Sequence, residues 1–365
     1  MLRQPAHPHP TGANTMQNKT RRLFAAYKAE IAKLNGVDRV DEKFTVSPTV
    51  QQRLENKVQE SSAFLSKINV YPVTEQEGEK LGLGVSGPIA STTDTSQQDR
   101  QTADISTLDG RRYRCEQTNS DTHITYQKLD AWAKFPDFQT RIRDAILKRQ
   151  ALDRMTIGFN GVKRTPTSNR VANPLLQDVN TGWLQHVRDG APARVMRDGK
   201  ARDQIVVGKL LKDGKRTRAD YATLDAVVFQ LVNELVAPWY AEDPELVVLC
   251  GRQLLADKYF PLINADQAPS ERLAADVIVS QLRIGNLPAV RVPFFPPASL
   301  MVTRLDNLSI YYQEGSRRRT VVDNARRDRI ENYESSNDAY VVEDLDCAAM
   351  AENIEFDLTD AEEAA

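Results

Sequence analysis

The sequence predicts an α+β fold, on three observations. Apolar residues recur with helical spacing at about 20–34, 47–67, 135–159 and 221–239. Short apolar runs read as strands at 246–251, 300–312 and 333–343. From Ile89 to Thr107 large apolar residues almost disappear, which points to a long polar hairpin rather than to part of a core.

Composition narrows the class. A chain of 365 residues is long enough for two or three domains with a substantial core. Hydrophobic content of 41% and charged content of 27% are those of a globular protein, and a formal charge of −2 argues against a dedicated nucleic-acid binder. No apolar run approaches the roughly 20 residues that span a bilayer. Residues 1–15 lack the apolar stretch of a secretory signal and are expected to be disordered, with Met16 an alternative translation start. Cys115, Cys250 and Cys347 are far apart and odd in number, as expected of reduced, packing thiols.

Taken in order, the first helix runs from Thr20 to Leu34, with Leu23, Phe24, Tyr27, Ile31 and Leu34 along one side and Gly36 as its stop. Residues 1–44 hold eight Lys/Arg against four Asp/Glu, a net +4. That is either a solvated helix face or a basic segment with a separate task; Glu30, Asp38, Asp41 and Glu42 weigh against a mitochondrial presequence. Val50, Leu54 and Val58, then Phe64, Leu65 and Ile68, mark a second helix over 47–67. Val70–Val73 reads as a strand that leads, through Gly78, Gly82, Gly84 and Gly87, into the polar hairpin. Tyr113–Gln117 and His123–Gln127 read as its return. With so little apolar surface, that hairpin is expected to lie as an arm on a neighbouring molecule.

The strongest helix spans Phe135–Phe159, with Phe138, Ile142, Ile146, Leu152, Met155 and Phe159 as its stripe and a length approaching roughly 40 Å. Residues 161–218 are loop-rich, with Pro166, Pro174, Pro192 and the basic turn Lys212–Arg216. Leu224, Val228, Leu231 and Leu235 give a helix over 221–239; Leu246–Gly251 is a buried strand followed by helix Arg252–Phe260. The strands 300–312 and 333–343 flank a basic, turn-like stretch, Arg317–Arg329. Contact of Arg317–Arg319 and Arg326–Arg327 with nucleic acid is the lesser reading, and pairing with acidic groups on another subunit the favoured one, given the overall charge. Glu355–Ala365 is acidic and expected to fray.

Motifs of chemistry are lacking or fail in context. Gly82-Leu83-Gly84-Val85-Ser86-Gly87 matches G-x-G-x-x-G, yet Pro88 and a polar loop follow where a dinucleotide site needs a helix N-terminus. His7, His9, His123 and His186 have no neighbouring ligand set, and Asp344 and Asp346 read as solvated. Trp132, Trp183 and Trp239 read as core or interface anchors. No catalytic, cofactor-binding or metal residue is assigned.

Several phrases resemble one family in the same order along the chain: Glu60-Ser61-Ser62-Ala63-Phe64-Leu65, Ile89–Thr95, Gly158-Phe159-Asn160-Gly161-Val162-Lys163-Arg164, Asn173–Val179, Ala191–Met196, Leu254–Pro261, Leu273–Asp276, Ile284–Val290, Glu331–Ser335 and Tyr340–Asp344. Together they are similar to the major capsid proteins of Peduovirus-type tailed phages, from about Met16 to about Glu355; the extension Met1–Thr15 and the short acidic tail depart from it. The resemblance implies a Hong Kong 97-type capsid fold. Residues 1–70 would be the N-terminal arm and 71–130 the extended loop. Residues 131–219 and 301–365 would form the peripheral domain, with 135–159 as its spine helix, and 220–300 the axial domain.

The function implied is self-assembly, as hexamers and pentamers, into the icosahedral head shell of a virion around double-stranded DNA. Expected partners are a scaffolding protein or prohead protease, a portal protein and, loosely, the packaged DNA, with no cofactor and no membrane; assembly would occur in the host bacterial cytoplasm. Removal of the basic N-terminal segment by the protease is expected within about residues 40–50, around Lys43, Phe44 and Thr45. Some members cross-link the extended loop through a lysine; Lys80 lies near the loop's base, so no such bond is expected here. The competing readings are another phage structural protein, of tail or scaffold, and a nicotinamide-dependent enzyme built on the glycine cluster.

Overall fold

The structure, a computed structural model, describes residues 16–80, 90–102, 112–135, 137–199, 203–208, 219–264 and 282–357. The chain divides into two compact units. The first comprises residues 1–57, 117–150 and 314–337; the second comprises 58–116, 151–313 and 338–365.

In the first unit the helix Asn18–Asn35 ends at Gly36, whose φ of 64° lets its N–H reach the carbonyls of Ala32 and Lys33. Phe24, Tyr27 and Ile31 are buried along its inner face, while Leu34, expected on that stripe, is half exposed. A second helix, Pro48–Glu60, starts with proline in its first turn and with the Ser47 hydroxyl accepting from the Val50 N–H at 3.4 Å. It is shorter than the 47–67 expected from periodicity, because a separate 3-10 turn, Leu65–Lys67, carries the last apolar residues.

The first unit's sheet is built on an antiparallel hairpin, in which Arg318–Asn324 pairs with Arg329–Ser335 from Arg318↔Ser335 to Asn324↔Arg329. The stretch that read as a basic turn is therefore mostly strand. The turn proper is residues 325–328, closed by Asp328 at φ 49°. Phe44–Thr45 pairs with the hairpin's first strand and Thr122–Thr125 with its second. Helix Tyr126–Trp132, where the sequence suggested the end of a strand, closes over the sheet with Leu129 fully buried. Phe24, Tyr27, Ile31, Phe44, Leu129, Phe138, Ile142, Val321 and Ile330 form one core.

The second unit holds a six-stranded sheet in the order Arg283–Ile284, Leu287–Arg291, Leu246–Cys250, Leu300–Arg304, Ala349–Ala351, Val195–Met196. Its central strand, Leu246–Cys250, is buried at every position, as the unbroken apolar run requires. It pairs in parallel with Leu287–Arg291 and antiparallel with Leu300–Arg304. Leu224, Val227, Val228 and Leu231 pack against it together with Leu254 and Tyr259. The helix expected over 221–239 is broken: Leu224–Gln230 runs into a π-helical turn, Leu231–Leu235, and a new short helix begins at Pro238, since proline disfavours helical geometry at the residue before it. The single strand read at 300–312 is two, Leu300–Arg304 and Leu308–Gln313, separated by a 3-10 turn. Leu308–Gln313 pairs antiparallel with Asp338–Val342 and in parallel with Asn69–Val73.

The helix expected at 135–159 is observed as Phe138–Asn160, 23 residues, of which 151–160 belong to the second unit. There Phe64, Phe159 and Tyr340 surround Trp183, whose indole N–H donates to the Ser309 carbonyl at 3.0 Å, and Phe295 packs behind Phe159. Gly158 is what admits that ring: a Cβ at 158 would stand 2.2 Å from Trp183. Helix propensity alone favours Gly158→Ala by about 1 kcal/mol. The contact reverses the sign, and the variant is expected to lose about 3 kcal/mol or more. Chemical denaturation of the unassembled protein measures it, and unchanged or raised stability would refute the packing argument.

Candidate functional site

The polar hairpin expected to act as an arm is tied down at its root. Glu77–Glu79 pairs antiparallel with Arg112–Arg114, and the buried ring of Tyr113 stands edge-on to Tyr311 at 5.0 Å. Cys115, Val73, Ala339 and Val341 complete this small core. Lys80 sits at the same root, its Nζ donating to the Val342 carbonyl at 2.8 Å. Beyond the root, residues 90–102 are exposed at nearly every position. Their local order is polar: Asp94 Oδ1 accepts from the Ser96 N–H at 3.0 Å and from its hydroxyl at 2.6 Å. A rigid base therefore presents a segment that buries almost nothing of itself. The Gly82–Gly87 cluster lies outside the described residues, as do Leu273–Asp276 and the basic turn Lys212–Arg216.

The expected processing region is woven into the first unit. Phe44 is buried and paired with Arg319, whereas Lys43 and Thr45 are exposed on either side. The Val46 N–H donates to the Arg317 carbonyl at 2.9 Å, and the Val321 N–H to the Val40 carbonyl at 2.8 Å. Arg319 reaches the Tyr27 hydroxyl at 3.1 Å, so the first helix and this edge strand share one basic residue. Presenting residues 43–45 to a protease requires opening of that strand edge.

Arg317 corrects the sequence reading that its arginine triplet pairs with another subunit. Its guanidinium is 2% exposed, with Nη1 2.7 Å from Glu55, Nε 2.7 Å from Glu334 and Nη2 2.9 Å from Gln150. Burial alone would push the Glu334 carboxyl up, but Arg317 and Arg319 overcome it and hold the group at about 2. Arg318 and Arg319 are also used within the chain, on the Gly315 carbonyl and the Asn332 side chain. Arg326 and Arg327 are exposed. Asp344 and Asp346 are likewise not simply solvated: Asp344 accepts from the Tyr240 hydroxyl at 2.9 Å, and Asp346 meets Arg194 at 2.6 Å.

All three cysteines are buried and free; burial pushes the Cys115 and Cys250 thiols up to about 12. Among the described residues no group of three His, Cys, Asp or Glu could hold a metal ion, and no helix is long and apolar enough to cross a membrane. The three tryptophans differ: Trp183 is fully buried, Trp132 packs at the first unit's core and Trp239 is 47% exposed. Phe229, on the helix with Leu224 and Val228, is 67% exposed. Its spacing alone could not separate it from the core positions beside it.

Known proteins resemble this chain along most of its length. The family model described as phage major capsid protein, P2 family, matches residues 23–354. The capsid protein of Escherichia phage P2 is 54% identical over 342 residues, 93% of this chain and 95% of that protein. The major capsid protein of Serratia phage KSP20 is 42% identical over 347 residues, 93% of this chain and 98% of that one. Among solved structures, a chain of the satellite phage P4 procapsid, which includes size determination (Sid) protein, has a TM-score of 0.76 at 52% identity, covering 93% of this chain and 99% of that one.

Proposed function

Because the chain belongs to the P2 family of phage major capsid proteins, we propose a division of labour for its parts within the shell. The protein itself is a major capsid protein with the phage capsid fold, and its copies assemble into the virion shell. The hairpin rooted at Glu77–Glu79 and Arg112–Arg114 serves as the extended loop that lies on a neighbouring copy. The observation that carries this reading is the contrast between its buried root and its exposed polar residues 90–102. Phe229 and Trp239 belong to the axial part, roughly residues 220–300, and are covered by the next copy around the ring. Head-to-tail contacts of this kind close into rings when the rotation allows, and many weak contacts sum to a stable shell.

Residues up to about 70 serve as the N-terminal arm, and the stretches 131–219 and 301–365 as the peripheral part. The basic N-terminal segment faces a scaffolding partner during assembly in the bacterial cytoplasm. A prohead protease then removes it near Lys43, Phe44 and Thr45. Charge supplies a reason: taking the net +4 of residues 1–44 from −2 leaves −6, and fewer cations remain to neutralise phosphates of the packaged duplex. A portal protein occupies one vertex. The role is structural, without a catalytic step of its own.

One experiment tests the whole reading. The chain is co-expressed with its neighbouring genes, particles are imaged by negative stain, and protein from finished particles is weighed intact. Closed shells are expected, built from chains shortened within residues 40–50. Tubes or fibres would favour a tail component, and a full-length mass in finished shells would overturn the cleavage.

A further inference from the structure

A cleft of about 430 Å³ opens at the root of the polar hairpin, wholly within the second unit. Lys80, Arg112, Arg114 and Arg164 line it against two carboxylates, Glu116 and Asp189, a surplus of two positive charges. The pairing inside is incomplete. Arg114 meets Glu116 at 2.9 Å, and Arg164 donates from Nη1 to the Val179 carbonyl at 3.0 Å. The Arg112 guanidinium has no hydrogen bond or ion pair among the described residues. A guanidinium carries five N–H donors, so these arginines keep donors to spare and match carboxylate geometry. His186 also faces the cleft but adds no charge at neutral pH. Burial, then the nearby Lys80, lowers it to about 4, against the opposing pull of Asp189 and the Tyr340 backbone.

The shape and sign of this site select its ligand. A nucleic-acid duplex presents a convex, uniformly negative surface and is met by stripes of lysine and arginine. A concavity with carboxylates among its cations suits instead a single acidic peptide segment. This sequence supplies one: beyond the strand Ile354–Asp357, which pairs in parallel with Ile205–Gly208 of its own chain, residues 358–365 hold Asp360, Glu362 and Glu363 and no Lys or Arg. Shell formation brings copies of the chain together. We propose that the cleft receives the acidic segment 358–365 of a second copy of this chain, an electrostatic contact between subunits at the root of the polar hairpin.

The test uses the full chain in its unassembled form and a fluorescein-labelled peptide of residues 358–365, followed by anisotropy. Saturable binding is expected at about 50 mM salt, weakening about tenfold at about 300 mM, as screening of exposed charges requires. The double variant Arg112→Glu/Arg164→Glu is expected to lose it, and so is a peptide with its Asp and Glu replaced by Asn and Gln. Far-UV circular dichroism checks the fold of the variant; if it fails to fold, Arg112→Gln/Arg164→Gln takes its place with the same expected loss. No saturation at low salt, or equal binding by a folded variant, overturns the proposal. So does a short DNA duplex that binds through these arginines while the peptide does not, which would make the cleft a nucleic-acid site.

Discussion

Replacing Arg317 by methionine is expected to lower the stability of the first unit by about 3–5 kcal/mol, the range for removing one partner of a buried ion pair. The reason is what remains behind. Glu55 and Glu334 are 1% and 6% exposed, and both depend on the same guanidinium. Without it, two carboxylates face each other in a site from which water is largely excluded. Arg317→Lys should recover only part of the loss, because an ammonium cannot present the fork that spans Glu55, Glu334 and Gln150 together. Adding Glu55→Gln and Glu334→Gln to Arg317→Met should restore much of it by removing the stranded charges. Urea unfolding of the unassembled protein measures all three variants, and a loss below about 1 kcal/mol for Arg317→Met would sink the argument.

The same cluster sets an acid limit. Glu334 is held at about 2, below the usual glutamate value of about 4.3. A depressed carboxyl contributes stability that is complete above the unfolded value and fades as pH falls toward the folded one. The wild-type unit should therefore weaken between about pH 4.3 and 2, whereas the triple variant should lose this dependence.

Deleting Ser91 to Thr107 is expected to leave a soluble, folded chain that forms no regular shells. The root of the hairpin does not need the deleted residues, since Tyr113, Cys115, Val73 and Tyr311 pack without them. The described part, residues 91–102, is exposed and polar, so its removal takes little from either core. What is lost is contact with neighbours, and a shell multiplies that loss over every copy. Size-exclusion chromatography should show discrete small species, and negative stain should show no closed particles. Normal shells from this deletion would refute the arm.

The elements legible in the sequence were those whose apolar spacing faces a core in their own neighbourhood. The first helix, the helix Phe138–Asn160 and the buried strand Leu246–Cys250 stand where periodicity put them. The helix Tyr126–Trp132 was hidden because its opening Thr125-Tyr126 favours strand and seven residues hold too few turns to show a period. The basic hairpin strand Arg318–Asn324 was hidden for another reason. Its arginines, and Arg317 before it, are satisfied by partners such as Tyr27 and Glu55, nearly 300 residues earlier in the first case. Asp344 and Asp346 misled in the same way, with partners at Tyr240 and Arg194. Polarity marked the exposed segment 90–102 in advance. The exposure of Phe229 and the surplus charge of the cleft emerge only once the helices and strands are assembled.

The parallel pairing of Asn69–Val73 with Leu308–Gln313 has a consequence for synthesis. The two strands lie some 240 residues apart in the sequence, and at about 5–20 residues per second the ribosome takes roughly 10–50 s to make the second after the first. Contacts so distant along the chain are slow to form even then. Throughout that interval the nascent chain lacks a completed second unit, and with it a fixed base for the polar hairpin. The sheet that holds the hairpin's root can be completed only near the end of translation, once Leu308–Gln313 has been made.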